Sequence, residues 1–250
     1  MLRILLLLLL TITIEFCYNK KMTKKLFLTS SVFLFFGFLV FSYLTAKEAF
    51  ATIDFDTTVK LQDKIPKNWD QTLSFFSLLG SAEIIGISWL ILIVWALLKK
   101  YWLTMVSLGL LIVTQIAEIF GKMLLYHPGP PFLFYRGVKI IEFPTHFIQT
   151  NYSYPSGHAT RSAFLISFIF VAIALRTRGL PKILIQSALV VFLFLMLLTR
   201  VSLGEHWATD VIGGALLGGS LGIIAAITIP STKRSQSARP KPELSKEPLG

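Results

Sequence analysis

The chain has 250 residues, of which 54% are hydrophobic and 15% charged, and its formal net charge is +11. A soluble domain carries about a quarter charged residues, so this composition excludes an ordinary water-soluble globule and indicates an all-α, multi-pass membrane bundle. In such a chain a surplus of Lys and Arg serves membrane-side loops and anionic lipid rather than nucleic acid, and the single cysteine, Cys17, excludes a disulfide framework or a multi-thiolate metal site.

The opening stretch "MLRILLLLLLTITIEFCYNKK" has an apolar part too short to span, interrupted by Glu15. It resembles a signal-peptide core, but no small-residue cleavage site follows. A second start is available at Met22. Residues 1–25 are therefore read as a dispensable or surface-lying extension. Six runs then reach or approach the roughly 20 residues that cross a bilayer: 26–46, 73–98, 102–126, 157–175, 183–199 and 207–229. They make one six-span domain over 26–229. The tail, 230–250, is polar, basic and Pro-containing, a composition expected to remain disordered.

Basic residues set the orientation. Lys20, Lys21, Lys24 and Lys25 precede the first span, and Lys99 and Lys100 join the second to the third. Arg176, Arg178 and Lys182 join the fourth to the fifth, and Lys233, Arg234, Arg239 and Lys241 follow the sixth. All four clusters fall on one side, which the positive-inside rule makes cytoplasmic. Connections 47–72, 127–156 and 200–206 then face outward. The first mixes acids and bases. The second is rich in Pro and aromatic residues, which suit the headgroup level, and a loop of about thirty residues is more often functional than a plain connector.

An ionisable group at the bilayer centre costs about 2.5–3.5 kcal/mol on insertion scales, so such residues mark sites by default. Inside the six spans they are Glu83, Glu118, Lys122, His158, Arg161 and Asp210. The orientation brings nearly all of them to the outer level, together with Arg200 and His206. Glu83 is read as structural. His206 and Asp210 stand four apart and share a helix face. Asp210 can accept the imidazole N–H and leave the other nitrogen as nucleophile or base. Arg200 offers donors suited to phosphate oxygens. "PSGH" puts Ser156 and Gly157 at a helix N-terminus, which favours anions, with His158 as a general-acid candidate and Lys122 as a further positive group. Together these describe phosphoryl transfer through a histidine. The plainer reading is helix–helix glue.

These residues carry a resemblance. Lys122 with Pro130, "PSGH" at 155–158, and "TRVSLGEHWATD" with Arg200, His206 and Asp210 resemble, in order and spacing, the three signature motifs of the type-2 phosphatidic acid phosphatase (lipid phosphate phosphatase) superfamily, over roughly residues 50–225. The first motif departs from the family pattern: Gly129 stands where an Arg usually precedes Pro130. Thr199 replaces a common Ser. The resemblance implies that His206 attacks phosphorus, Asp210 orients it, and His158 protonates the leaving oxygen. Lys122, Arg200, Ser156 and Gly157 would hold the phosphate oxygens. It implies no cofactor and no metal, and the four scattered His give no zinc spacing.

The expected function is a membrane phosphatase acting on a lipid phosphate or diphosphate at the outer face of a cell membrane, with a leaning to a bacterial inner membrane. Its partners are the lipid substrate and the bilayer. A phosphotransferase using the same chemistry and a non-catalytic protein retaining the fold are the alternatives. Three basic residues are candidates to replace the missing Arg: His127, Arg136 and Arg161. Arg161 lies three residues after His158 on the same helix face, about 4.5 Å along the axis, and is the preferred phosphate-binding substitute. Its plainer reading is an Arg that pairs with Glu118 or snorkels to the outer surface.

Overall fold

Every regular element among the described residues, which are 20–138, 140–141, 143, 150–177 and 179–230 of this computed structural model, is helical. In chain order the helices are α1 (Lys20–Ala46), α2 (Ala51–Lys64), α3 (Asp70–Leu78), α4 (Ala82–Leu98), α5 (Trp102–Leu108), α6 (Leu110–Leu124), α7 (Gly157–Arg176), α8 (Leu180–Ser202) and α9 (Ala208–Ile227). Among the described residues, six stretches are long and apolar enough to cross a membrane: Met22–Ala46, Lys67–Leu98, Trp102–Leu124, α7, α8 and α9. The protein is thus an all-α bundle with six candidate spans, as the hydrophobic runs predict. The expected extension before residue 20 and the tail from 231 onward lie outside the described residues.

α7 and α9 form the inside of the bundle. Half of the apolar window of α7 and 61% of that of α9 are buried, against 11% in α1 and α8. The reason is a row of glycines on α9. A Cβ at Gly214, Gly218 or Gly222 would strike the carbonyl oxygen of Ser156, Thr160 or Phe164. Small residues four apart let two helix backbones approach closely, as in membrane helix pairs. Phe164, Phe168 and Val171 of α7 then pack with Ala225 and Ala226 of α9 in the main apolar core.

α1 is fastened to the far end of α9. Ser31 Oγ donates to the Ser220 carbonyl at 2.9 Å, and Lys24 Nζ donates to the carbonyls of Ile227 and Ile229 at 2.6 and 2.7 Å. A cation there satisfies carbonyls that a helix end leaves without partners.

Three features depart from the expected spans, the first a break at Gly109 that divides the expected span 102–126 into α5 and α6. The connection 47–72 contains α2, a helix whose buried side chains are the polar Asp54 and Thr58. The expected single span 73–98 is broken into α3 and α4, with Ser81 capping α4 through its Oγ and the Ile84 N–H (3.4 Å). The break holds Gly80 against α7 and α8: a Cβ there would lie 3.0 Å from Met196 Sδ, 3.1 Å from Ser162 Oγ and 3.3 Å from His158 Cδ2.

Candidate active site

The starts of α7 and α9 and the ends of α6 and α8 meet at one end of the bundle, because consecutive spans alternate in direction. α8 ends in a turn that carries the third motif. Gly204 adopts φ 67°, a left-handed conformation that glycine takes without a Cβ penalty. The N–H groups of Glu205 and His206 both return to the Arg200 carbonyl at 3.1 Å. This wraps His206 back beside Arg200 before α9 begins.

Asp210 is fully buried and caps the start of α9. Its Oδ2 accepts from the Trp207 N–H at 3.0 Å and from Ser153 Oγ at 2.7 Å, and lies 3.1 Å from His206 Nδ1. An ionised carboxylate only accepts, so Nδ1 carries the proton and Nε2 of His206 is left with its lone pair. Burial, followed by the charges of Arg200 and Lys122, holds His206 well below the usual histidine range, against the opposing pull of Glu205 and Glu118. The ring is therefore kept neutral, the form a nucleophile needs.

The other oxygen of Asp210 faces His127, whose Nε2 lies 3.4 Å from Asp210 Oδ1, 3.1 Å from Thr209 Oγ1 and 3.8 Å from Asp54 Oδ2. Thr209 Oγ1 spends its proton on Asp54 Oδ2 at 2.6 Å, and the Thr209 N–H donates to Asp54 Oδ1 at 2.9 Å. Toward His127 the threonine oxygen can then only accept, so His127 Nε2 is the donor. Burial raises Asp54 above the usual carboxylate range, opposed by the Thr209 bonds and His127. Asp54, Ser153, Thr209 and His127 thus form a polar layer behind the His206–Asp210 pair.

The cations lie in two groups. Lys122 Nζ donates to Glu118 Oε1 at 2.8 Å. Arg161 donates from one terminal nitrogen to Gln115 Oε1 at 2.7 Å and to Glu118 Oε2 at 3.1 Å. Arg200 pairs with Glu205 and donates to Ser77 Oγ. His158 is within electrostatic reach of Arg200, Arg161, His206 and Lys122. Ser156 is fully buried, its N–H donates to the Asp210 carbonyl at 3.0 Å, and its Oγ has no hydrogen-bond partner among the described residues.

The structure therefore gathers His158, His206, Asp210, Lys122, Ser156, Gly157, Arg161 and Arg200 at the ends of four helices. Of the candidates to replace the missing Arg, Arg136 is held elsewhere. It forms a two-point pair with Asp70 at 2.7 and 3.1 Å and donates to the carbonyls of Gln62 and Ile65. His127 faces the Asp210 carboxylate, and Arg161 is paired with Glu118 beside Lys122. Asp54 and Ser77, which touch this cluster, escape the sequence reading. Asp54 sits on a helix read as an outer connection, where only the spacing of Asp54, Thr58 and Leu61 hints at a buried face.

Comparison with known proteins adds two findings. A family model described as the PAP2 superfamily matches residues 100–234. In fold, the chain is similar to the crystal structure of a transmembrane PAP2-type phosphatidylglycerolphosphate phosphatase from Bacillus subtilis, with a TM-score of 0.63 and 20% identity over 78% of this chain and 93% of that one.

Proposed function

Because this chain belongs to the PAP2 superfamily, we propose that it is a membrane phosphatase that hydrolyses a lipid phosphate or lipid diphosphate through a phosphohistidine on His206. The observation that carries the reading is the His206–Asp210 contact of 3.1 Å through Nδ1, which leaves Nε2 unprotonated on a ring within electrostatic reach of Arg200 and Lys122. In the first step Nε2 attacks phosphorus and the bond to the lipid-side oxygen breaks. That oxygen takes a proton from His158. In the second step water attacks phosphorus, gives a proton to His158, and the P–N bond breaks to release phosphate. Lys122, Arg200, Arg161, Ser156 and the N–H groups that open α7 stabilise the charge gathering on the phosphoryl oxygens. The site lies on the outer side of the membrane, which the cytoplasmic placement of the basic clusters supports.

Purified protein should release phosphate from at least one of phosphatidate, phosphatidylglycerol phosphate and undecaprenyl diphosphate. Labelled substrate quenched in alkali should leave label on the protein, since phosphohistidine survives base. Label persisting in His206→Ala removes His206 from the role. His158→Ala should slow turnover least for a leaving group that departs without a proton, and an equal loss on both substrate types excludes it as the acid. The scheme uses no metal ion, so turnover should survive a chelator. Loss reversed by a divalent cation would overturn that part.

A further inference from the structure

Glu118 stands where an anion is expected. Its carboxylate lies against Gly157, the first residue of α7: a Cβ on Gly157 would collide with both carboxylate oxygens. The same carboxylate accepts from Lys122 at 2.8 Å and from Arg161 at 3.1 Å. It is buried, with Glu118 only 7% exposed. A helix start, an ammonium and a guanidinium are the groups that would hold phosphate oxygens here. The fully buried Ser156, next to Gly157, keeps an Oγ without a partner among the described residues.

We propose that Glu118 is a built-in competitor for the phosphate site. With no substrate bound, it neutralises Lys122 and Arg161 and covers the start of α7. An incoming phosphoryl group displaces it and takes over both cations. After hydrolysis the carboxylate returns and expels inorganic phosphate. Arg161 is then held in reserve by Glu118 and turns to phosphate when the carboxylate leaves. The proposal rests on the phosphatase reading for its substrate, but its physical content is a competition between two anions, which binding measures without turnover.

The test is orthophosphate binding to the full chain in detergent micelles, measured by titration calorimetry on the wild type, Glu118→Gln and Glu118→Asp. Glutamine keeps the shape and removes the charge. Aspartate keeps the charge and withdraws it from Gly157. Removing one like charge at contact distance should tighten phosphate binding by at least about tenfold in Glu118→Gln, with a smaller gain in Glu118→Asp. Turnover should show the same gain as a weaker requirement for substrate and stronger inhibition by added phosphate. Equal or weaker phosphate binding in both variants, or failure of both to fold, assigns Glu118 to packing and overturns the proposal. Tighter phosphate binding in a protein that hydrolyses none of the lipid phosphates would uphold the competition and remove the phosphatase reading instead.

Discussion

Asp210 divides its two oxygens between two histidines, and each half makes a separate prediction. Toward His206 the question is protonation. Because burial, Arg200 and Lys122 lower the His206 pKa, the ring should stay neutral as pH falls through about 6.5, where a free imidazole takes up its proton. Its charging should begin only at lower pH. Glu205 and Glu118 pull the other way, so Glu205→Gln should move the transition further down and Lys122→Met should move it up. Nitrogen NMR of ¹⁵N-histidine-labelled protein reads this directly, with His206 assigned by its loss in His206→Ala. A midpoint at or above the ordinary value would refute the neutral nucleophile. Toward His127 the question is stability. His127→Ala leaves the buried Thr209 Oγ1 without its donor and removes the imidazole that faces Asp210 Oδ1, which should cost about 1–3 kcal/mol. Thermal unfolding in a fixed detergent measures it, and an unchanged midpoint would mean that the layer is already satisfied without the imidazole.

At the scale of elements, the seam between α7 and α9 gives a contrast one residue apart. A Cβ at Gly218 meets the Thr160 carbonyl, whereas one at Gly219 finds only ordinary contacts, 3.6 Å to Ser167 Oγ and 4.0 Å to Leu34. Gly218→Ala should therefore destabilise by about 1–3 kcal/mol through overpacking. Gly219→Ala should lie within about 1 kcal/mol of wild type, on the stabilising side, since alanine is the better helix former. Equal unfolding temperatures for the two variants would contradict the seam. The seam also explains what was legible in advance. Apolar runs of bilayer length announced the six spans, and the polar residues interrupting them announced the site. The break at Gly80 and Ser81 was hidden because "LLGSAEIIG" remains apolar on both sides, and a spanning pattern read by length passes over a turn that neighbouring helices stabilise. α2 was hidden for the opposite reason: its mixed charges read as a connection, and only packing reveals that Asp54 and Thr58 face inward. Arg161 illustrates a further limit. Helical spacing places it beside His158, but whether it faces phosphate or Glu118 depends on α6, far away in sequence.

For the whole molecule, alternation of six spans sets Lys99 and Lys100 at the end opposite the site, along with Lys24 at the start of α1. If the positive-inside rule holds, the loop after α6 faces outward. Phe132 is 87% exposed there. In a Cys17→Ser background, Phe132→Cys should react with an impermeant thiol reagent added to intact cells. Labelling only after permeabilisation would place the site on the cytoplasmic side and invert the proposed orientation.

The central position of α9 bears on how the protein is made. It is the last of the described helices to leave the ribosome, yet it supplies Thr209 to Asp54, Asp210 to His127, a carbonyl to the Ser156 N–H and a terminus to Lys24. Until it arrives, the earlier helices can be inserted, but Asp54 and His127 lack these bonds and α7 has no glycine seam to pack on. The polar layer and the glycine seam are thus completed together, by one final insertion. A chain truncated before α9 should therefore be degraded faster than the full chain, and equal lifetimes of the two in a pulse-chase would show that the earlier helices hold together without it.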